Sequence, residues 1–343
     1  MTKLFKKFQN PEKPFVIAEM SGNHNQSLEK ALRIVESAAK CGVDAIKIQT
    51  YTAKTMTMKG IYKINDNSLW DGQDLFELYE KAYTPWEWHK PIFEKAKSLN
   101  IIPFSSPFDS SSVDFLEDLG VELYKIASFE NTDIPLIKKI ASKKKPVIMS
   151  TGAASISQID EAVSTLRENG CNEIVLLKCT SSYPSSPETS NIKTIPNLKQ
   201  IFKCPVGLSD HTLGVGVSIA SVALGATVIE KHFTLDRSEG GVDSTFSLEP
   251  SELKTLVDES KRAFLSLGNV KYGLTSDEVN MVKFKRSVYA SNDIKKGEVF
   301  SEKNIRVIRP GFGIKPKYFH LIIGKKSKSN ISSGTPLSWD LLL

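Results

Sequence analysis

The sequence predicts an α/β fold: a (β/α)8 barrel followed by a small β-rich domain. Three observations carry this. Eight short apolar runs recur between Phe15 and about Gly268, amphipathic stretches lie between most of them, and the pattern changes after Gly268. Apolar runs without polar alternation, separated by helical periodicity, mark a parallel sheet covered on both faces. Eight such units in about 250 residues fit a closed (β/α)8 barrel. An open doubly wound sheet is the alternative. It usually carries a glycine-rich turn after its first strand, and "EMSGNHNQS" does not match GxGxxG.

The runs are Phe15–Met20, Asp44–Thr50, Ile101–Ser106, Leu123–Ser128, Pro146–Thr151, Ile174–Cys179, Pro205–Asp210 and Thr227–His232. Between them, "SISQIDEAVSTLRENG" reads as a helix with Ser155 or Ser157 as N-cap and Gly170 at its C′ position. "GNVKYGLTSDEVNMVKFKRS" is polar and reads as a linker, 269–285, with one short helix. From 286 to 343, short strand-like runs are broken by Gly297, Gly311, Gly313, Gly324 and Gly334, which suits a small β domain.

The bulk properties narrow the function. The 343 residues are 40% hydrophobic and 24% charged, which is ordinary for a water-soluble globular chain. No run approaches the roughly 20 apolar residues of a membrane span, and the N-terminus lacks a signal-peptide core. Cys41, Cys171, Cys179 and Cys204 have no CxxC spacing, so buried reduced thiols and a cytoplasmic setting are expected. The net charge of +6 is scattered, its densest run, Lys143–Lys145, reads as a solvated helix end, and no nucleic-acid motif appears. The excess charge suits attraction of a small anionic substrate.

Barrel enzymes carry their chemistry at the C-terminal ends of the strands, and polar residues collect there. The run ends supply Glu19, Lys47, Gln49, Ser106, Lys125, Ser128, Glu130, Ser150, Thr151, Tyr183, Ser209, His211, Glu230 and His232. Of five histidines, two end neighbouring runs, in "GLSDH" and "VIEKH". Adjacent barrel strands bring them to one mouth, where two imidazoles suit a shared Mn²⁺, Zn²⁺, Fe²⁺ or Co²⁺ with open positions. His24 is a third contact or a loop residue; His89 and His320 read as structural. Alternation points Lys47 and Lys125 inward. Two lysines among serine hydroxyls suit a phosphate and a carboxylate, while a single desolvated lysine forming a Schiff base is the alternative. Glu19, Glu130, Glu230 and Asp243 remain for sugar hydroxyls, metal waters or proton transfer.

Together "IAEMSGNHN", "AIKIQTYT", "FSSPFD", "YKIASFE", "MSTGAAS", "LKCTSSYP", "GLSDHT" and "IEKHFTLD" resemble, in order, the sialic acid synthase (nonulosonic acid synthase) family. "SVYASNDIKKGEVF" and "IRVIRPGFGI" resemble that family's antifreeze-like (SAF) domain. "IKIQTYT", "LWDGQDLFELYEKAYTPWEWH" and "KIASFEN" resemble the branch that makes pseudaminic acid. That resemblance implies condensation of phosphoenolpyruvate with 2,4-diacetamido-2,4,6-trideoxy-L-altrose and water, releasing phosphate by C–O cleavage. N-acetylneuraminate or legionaminate synthesis from another acetamido sugar, and a non-catalytic carbohydrate-binding protein, are the alternatives. It further implies His211 and His232 as ligands of Mn²⁺, with Mg²⁺ or Co²⁺ as substitutes. Lys47, Ser106, Lys125, Ser128, Ser150 and Ser209 would hold phosphoenolpyruvate. Gln49, Glu130, Tyr183 and Asp243 would contact the sugar, and Glu19 would lie beside the reacting centre. Arg309 would reach from the SAF domain of a second subunit, giving a domain-exchanged homodimer. The family setting is bacterial decoration of flagellin or surface glycans.

Overall fold

The computed structural model describes residues 1–65 and 69–343. The chain divides into two compact units, Met1–Gly268 and Asn269–Leu343. In the first, eight parallel strands close on themselves: β1 (Phe15–Glu19), β2 (Ala45–Thr50), β3 (Ile102–Pro107), β4 (Tyr124–Ile126), β5 (Val147–Ser150), β6 (Ile174–Cys179), β7 (Val206–Asp210) and β8 (Val228–His232). Pairing of β8 with β1, from Phe15↔Val228 to Glu19↔His232, closes the barrel and excludes the open sheet. Each strand lies within its expected apolar run except β3, which extends one residue beyond it to Pro107. β4 is much shorter than its run, with three residues.

Helix α1 (Lys3–Gln9) precedes the barrel. After the strands come α2 (Leu28–Cys41), α3 (Ala53–Met56), α4 (Leu75–Ala82), α5 (Trp86–Ser98), α6 (Ser110–Asp118), α7 (Ile134–Ala141), α8 (Ile156–Glu168), α9 (Thr194–Phe202), α10 (Gly216–Ala223) and α11 (Pro250–Ser266). Local signals set their ends. Ser155, not Ser157, caps α8 by accepting from the Gln158 N–H, and Gly170 just beyond its end has φ 90°. No helix among the described residues is long and apolar enough to cross a membrane.

The period of two along each strand separates two cores. Outward residues such as Val16, Ala18, Ile46, Ile48, Leu176 and Leu208 pack under the helices. Inward residues Phe15, Ile17, Ala45, Phe104, Leu123, Ile148, Val175, Leu177 and Val228 fill the lower barrel with Leu4, Phe5 and Phe8 of α1. Phe8 is fully buried and meets Phe15 edge to face, with ring centroids 5.0 Å apart. The sequence pattern predicts no helix here. α1 stoppers the amino-terminal end of the barrel, so the polar inward residues are confined to the other end. The four cysteines are buried and free.

In the second unit β9 (Ser287–Ala290) pairs antiparallel with β10 (Ile305–Ile308). Isolated bridges such as Ile294↔Ile331 and Val299↔Lys326 extend the pairing around Val288, Phe300, Ile305, Ile314 and Leu337. Residues 269–285 group with this unit. Their short helix is a 3₁₀ segment, Ser276–Phe284, within which the Lys283 carbonyl accepts from the Gly311 N–H.

Gly207 is required where β7 meets β8. A Cβ there would lie 2.1 Å from the Val228 carbonyl oxygen and 2.7 Å from Leu177 Cδ2. Backbone cannot yield as a flexible side chain can. Gly207→Ala is therefore expected to cost about 3 kcal/mol, read as a lowered urea midpoint; an unchanged midpoint would contradict this strand spacing.

Candidate active site

Above the apolar layers, alternation turns Glu19, Lys47, Gln49, Ser106, Lys125, Ser150, Cys179, Ser209, Glu230 and His232 into the carboxyl-terminal mouth. Registers fix their levels: Glu19 lies opposite Lys47 on β2 and His232 on β8, Gln49 lies opposite Ser106, and Ser209 lies opposite Glu230.

Both lysines are buried and paired. Lys47 Nζ lies 2.7 Å from Glu19 Oε2, 3.8 Å from Glu230 Oε1 and 3.4 Å from Ser106 Oγ. Lys125 Nζ donates to Ser150 Oγ at 2.7 Å and the Ile126 carbonyl at 3.0 Å, and lies 3.9 Å from Glu230 Oε1. Burial favours neutral amines, but Glu19 and Glu230 more than offset it at Lys47, whose pKa is raised. At Lys125 burial wins and the pKa falls. Glu19 is pushed up by burial despite Lys47, whereas at Glu230 burial is outweighed by Lys125 and Lys47, which hold its pKa down. Ser209 Oγ donates to Glu230 Oε1 at 3.1 Å. Ser128 Oγ lies beside Gly152, where a Cβ would come within 2.7 Å of it and 2.3 Å of Ser181 Oγ. The absent side chain leaves both hydroxyls clear.

The histidine rings stand 5.3 Å apart, centroid to centroid. His211 Nδ1 donates to the Thr180 carbonyl at 2.9 Å, which fixes the tautomer and leaves Nε2 with its lone pair. His232 Nδ1 is buried without a hydrogen-bond partner among the described residues, 3.9 Å from Asp243 Oδ2. Burial, reinforced by His211, holds the His232 pKa well below the usual imidazole value, so the ring is neutral and able to ligate. At His211 burial is outweighed by Cys179 and the Thr180 carbonyl, which raise its pKa, so a cation there would displace a proton; with that, the two rings fit a divalent cation. No cluster of three or more His, Cys, Asp or Glu groups able to hold one occurs among the described residues, so further ligands would come from solvent or substrate.

Behind the rings, on the outer faces of β7 and β8, Lys231 Nζ meets Asp210 Oδ2 at 2.9 Å and also bonds the Thr212 carbonyl. Asp210 accepts from the Thr212 N–H at 2.9 Å and Ser218 Oγ at 2.6 Å. This buried network ties together the residues that precede both histidines. His24 is occupied elsewhere, by the Gln26 N–H and Thr84 Oγ, as His89 is by Thr50 and the Pro85 carbonyl; His320 is exposed.

The expected sugar residues come from around the whole mouth: Gln49 from β2, and Glu130, Tyr183 and Asp243 from the segments after β4, β6 and β8. Gln49 Nε2 donates to Glu19 Oε1 at 3.0 Å and to Ser21 Oγ at 3.1 Å, and Ser21 in turn bonds Asp243. Burial raises the Asp243 pKa. The Tyr183 ring lies tilted against His211, with centroids 4.5 Å apart, and burial lifts the Glu130 pKa to about 7. Arg309 belongs to the second unit and is exposed. Three residues of the mouth are absent from the set that the sequence pattern supplies. Ser21 bridges Gln49 and Asp243 from a backbone with φ 47°. Cys179 Sγ lies 3.9 Å from His211 Nδ1. Phe246 packs 4.9 Å from His232 and 5.4 Å from Tyr183. Alternation along β6 points to Cys179; no periodicity marks the other two.

The chain is similar to known proteins along nearly its whole length. The NeuB family model matches residues 34–272 and the SAF domain model residues 285–343. A pseudaminic acid synthase of Campylobacter jejuni is 46% identical, with 96% of this chain and 97% of that protein covered. One of Helicobacter pylori is 41% identical over 95% and 97%. The crystal structure of an N-acetylneuraminic acid synthetase from Leptospira borgpetersenii, in complex with citrate, superposes with TM-score 0.71 at 34% identity, covering 79% of this chain and 91% of that one.

Glu130 gives a pH test. Its folded pKa of about 7 exceeds the ordinary 4.5, so the folded state holds a proton that the unfolded chain has lost across that window. Folding stability attributable to this group is present below the lower value and lost as pH rises through the upper one. Glu130→Gln should therefore gain on the native chain by about 3 kcal/mol between those limits, and by no more above them. Equal stability at both ends would show that the carboxyl is solvated.

Proposed function

The chain belongs to the NeuB family, and on that premise we propose that it condenses phosphoenolpyruvate with 2,4-diacetamido-2,4,6-trideoxy-L-altrose and water, forming pseudaminic acid and phosphate. The juxtaposition of two buried lysines with two converging histidines at one barrel mouth carries the reading. Phosphoenolpyruvate is a small, highly charged anion, and Lys47 and Lys125 with Ser106, Ser128, Ser150 and Ser209 offer it ammonium and hydroxyl donors in a dry site. Gln49, Glu130, Tyr183 and Asp243 orient the open-chain sugar with its aldehyde toward the histidines. His211 and His232 are the residues that would hold the divalent cation, Mn²⁺ or in its place Mg²⁺ or Co²⁺, whose Lewis acidity polarises an aldehyde oxygen.

C3 of phosphoenolpyruvate forms a bond to C1 of the sugar as the aldehyde C=O opens, its oxygen becoming a hydroxyl with a proton that the added water ultimately supplies, and positive charge develops at C2. Glu19 lies beside this point, hydrogen-bonded to Gln49. It orients the water that adds to C2 and accepts its proton, a role suited by a carboxyl whose pKa burial has raised. The tetrahedral intermediate then breaks its C2–O bond, and phosphate leaves with the bridging oxygen. Lys47 and Lys125 hold the phosphate and carboxylate charges throughout, and fixing both reactants in one geometry supplies much of the rate.

The lowered pKa of Lys125 favours a second reading, a Schiff-base aldolase. Its bonds to Ser150 and the Ile126 carbonyl hold the amine as a donor, which argues for anion binding. The experiment offers phosphoenolpyruvate and Mn²⁺ with a panel of acetamido hexoses and follows phosphate. Release is expected with the diacetamido altrose, with a loss of about a hundredfold or more in folded His211→Ala or His232→Ala. Full turnover by His211→Ala would remove the metal role. A borohydride-trapped adduct on Lys125 would establish the second reading instead.

A further inference from the structure

We propose that Glu230 is a resident counter-ion of the phosphoenolpyruvate pocket, holding Lys47 and Lys125 while no ligand is bound and competing with substrate and product anions for them. The inference rests on reading that pocket as an anion site. Glu230 projects inward from β8, with Oε1 3.1 Å from Ser209 Oγ, 3.8 Å from Lys47 Nζ and 3.9 Å from Lys125 Nζ. Three groups assigned to phosphoenolpyruvate thus converge on one carboxylate oxygen. A phosphate or carboxylate oxygen of the substrate would seek the same partners.

Charge balance shows what this does. Glu19 and Glu230 match Lys47 and Lys125 one for one, so the four side chains carry no net charge. Glu19 is firmly committed, 2.7 Å from Lys47 and accepting from Gln49. Glu230 is not: its distances to the lysines, 3.8 and 3.9 Å, are the long ones. It is the carboxylate that a stronger anion displaces most readily. Without it, two buried ammoniums would share a single carboxylate, which is costly. With it, bound anions are held less tightly than two lysines alone would hold them. Phosphate can then leave, because Glu230 returns to the ammoniums as the product departs.

The test compares the native chain with Glu230→Gln, Glu230→Asp and Lys125→Met. Binding of inorganic phosphate and phosphoenolpyruvate is measured by calorimetry, and phosphate formation by rapid quench. Removing the negative charge should tighten phosphate binding at least about tenfold. Steady turnover should fall and a burst of bound phosphate should appear, because release has become slow. Glu230→Asp, whose carboxylate is withdrawn by one methylene, should tighten binding less. If Glu230→Gln does not fold in anion-free buffer, Glu230→Asp carries the comparison, and phosphate should raise its melting temperature more than that of the native chain. Unchanged or weaker phosphate binding in folded Glu230→Gln and Glu230→Asp overturns the proposal. If neither the native chain nor Glu230→Gln binds phosphate, and Lys125→Met changes nothing, the anion pocket itself is wrong and the proposal falls with it.

Discussion

The need to neutralise two ammonium groups inside a closed barrel organises the mouth of this protein. The period of two along β2 and β4 sends Lys47 and Lys125 inward as surely as it sends Ala45 and Leu123. A buried ammonium stripped of its partner costs about 3–5 kcal/mol. The inward positions at the same level must therefore supply carboxylates and hydroxyls, as Glu19, Glu230, Ser106 and Ser150 do. The shared register of β8, β1 and β2 carries them: Glu19 is aligned with both Lys47 and His232.

That constraint separates stability from chemistry along the barrel axis. The lower layers are apolar and stoppered by Phe8 of α1, so their packing stabilises the fold without touching the mouth. The upper layer holds charges that packing alone would not keep. The outer faces contribute as well. Lys231 and Asp210 form a buried pair between the two strands that carry the histidines, and they anchor the turn at Thr212. The two rings thus hang from a braced edge, with Phe246 and Tyr183 closing around them.

Much of this is legible in the sequence, for a definite reason. Strand existence and facing follow from local patterning, so the barrel strands and the inward set at their ends can be read from the order of residues alone. Helix α8 and its cap at Ser155 follow from local hydrogen-bond chemistry. What escapes depends on tertiary neighbours. α1 is not marked by any pattern in the sequence until Leu4, Phe5 and Phe8 are given a barrel floor to fill. Phe246 and Ser21 sit in irregular loops where no period applies. Glu230 is visible at a strand end, but its pairing with both lysines is a matter of register between three strands. Residues 269–285 read as a linker because the stretch is polar, whereas their backbone groups with the second unit.

On the proposed reading, a cation held by two imidazoles meets an anion held by two lysines in this mouth. Diffraction from crystals soaked in Mn²⁺ and phosphoenolpyruvate, recorded at the manganese edge, decides whether they meet. One anomalous peak shared by His211 and His232 is expected, with the phosphoenolpyruvate anion against Lys47 and Lys125. Manganese bound away from both rings, or the anion lodged outside the two lysines, would refute the arrangement.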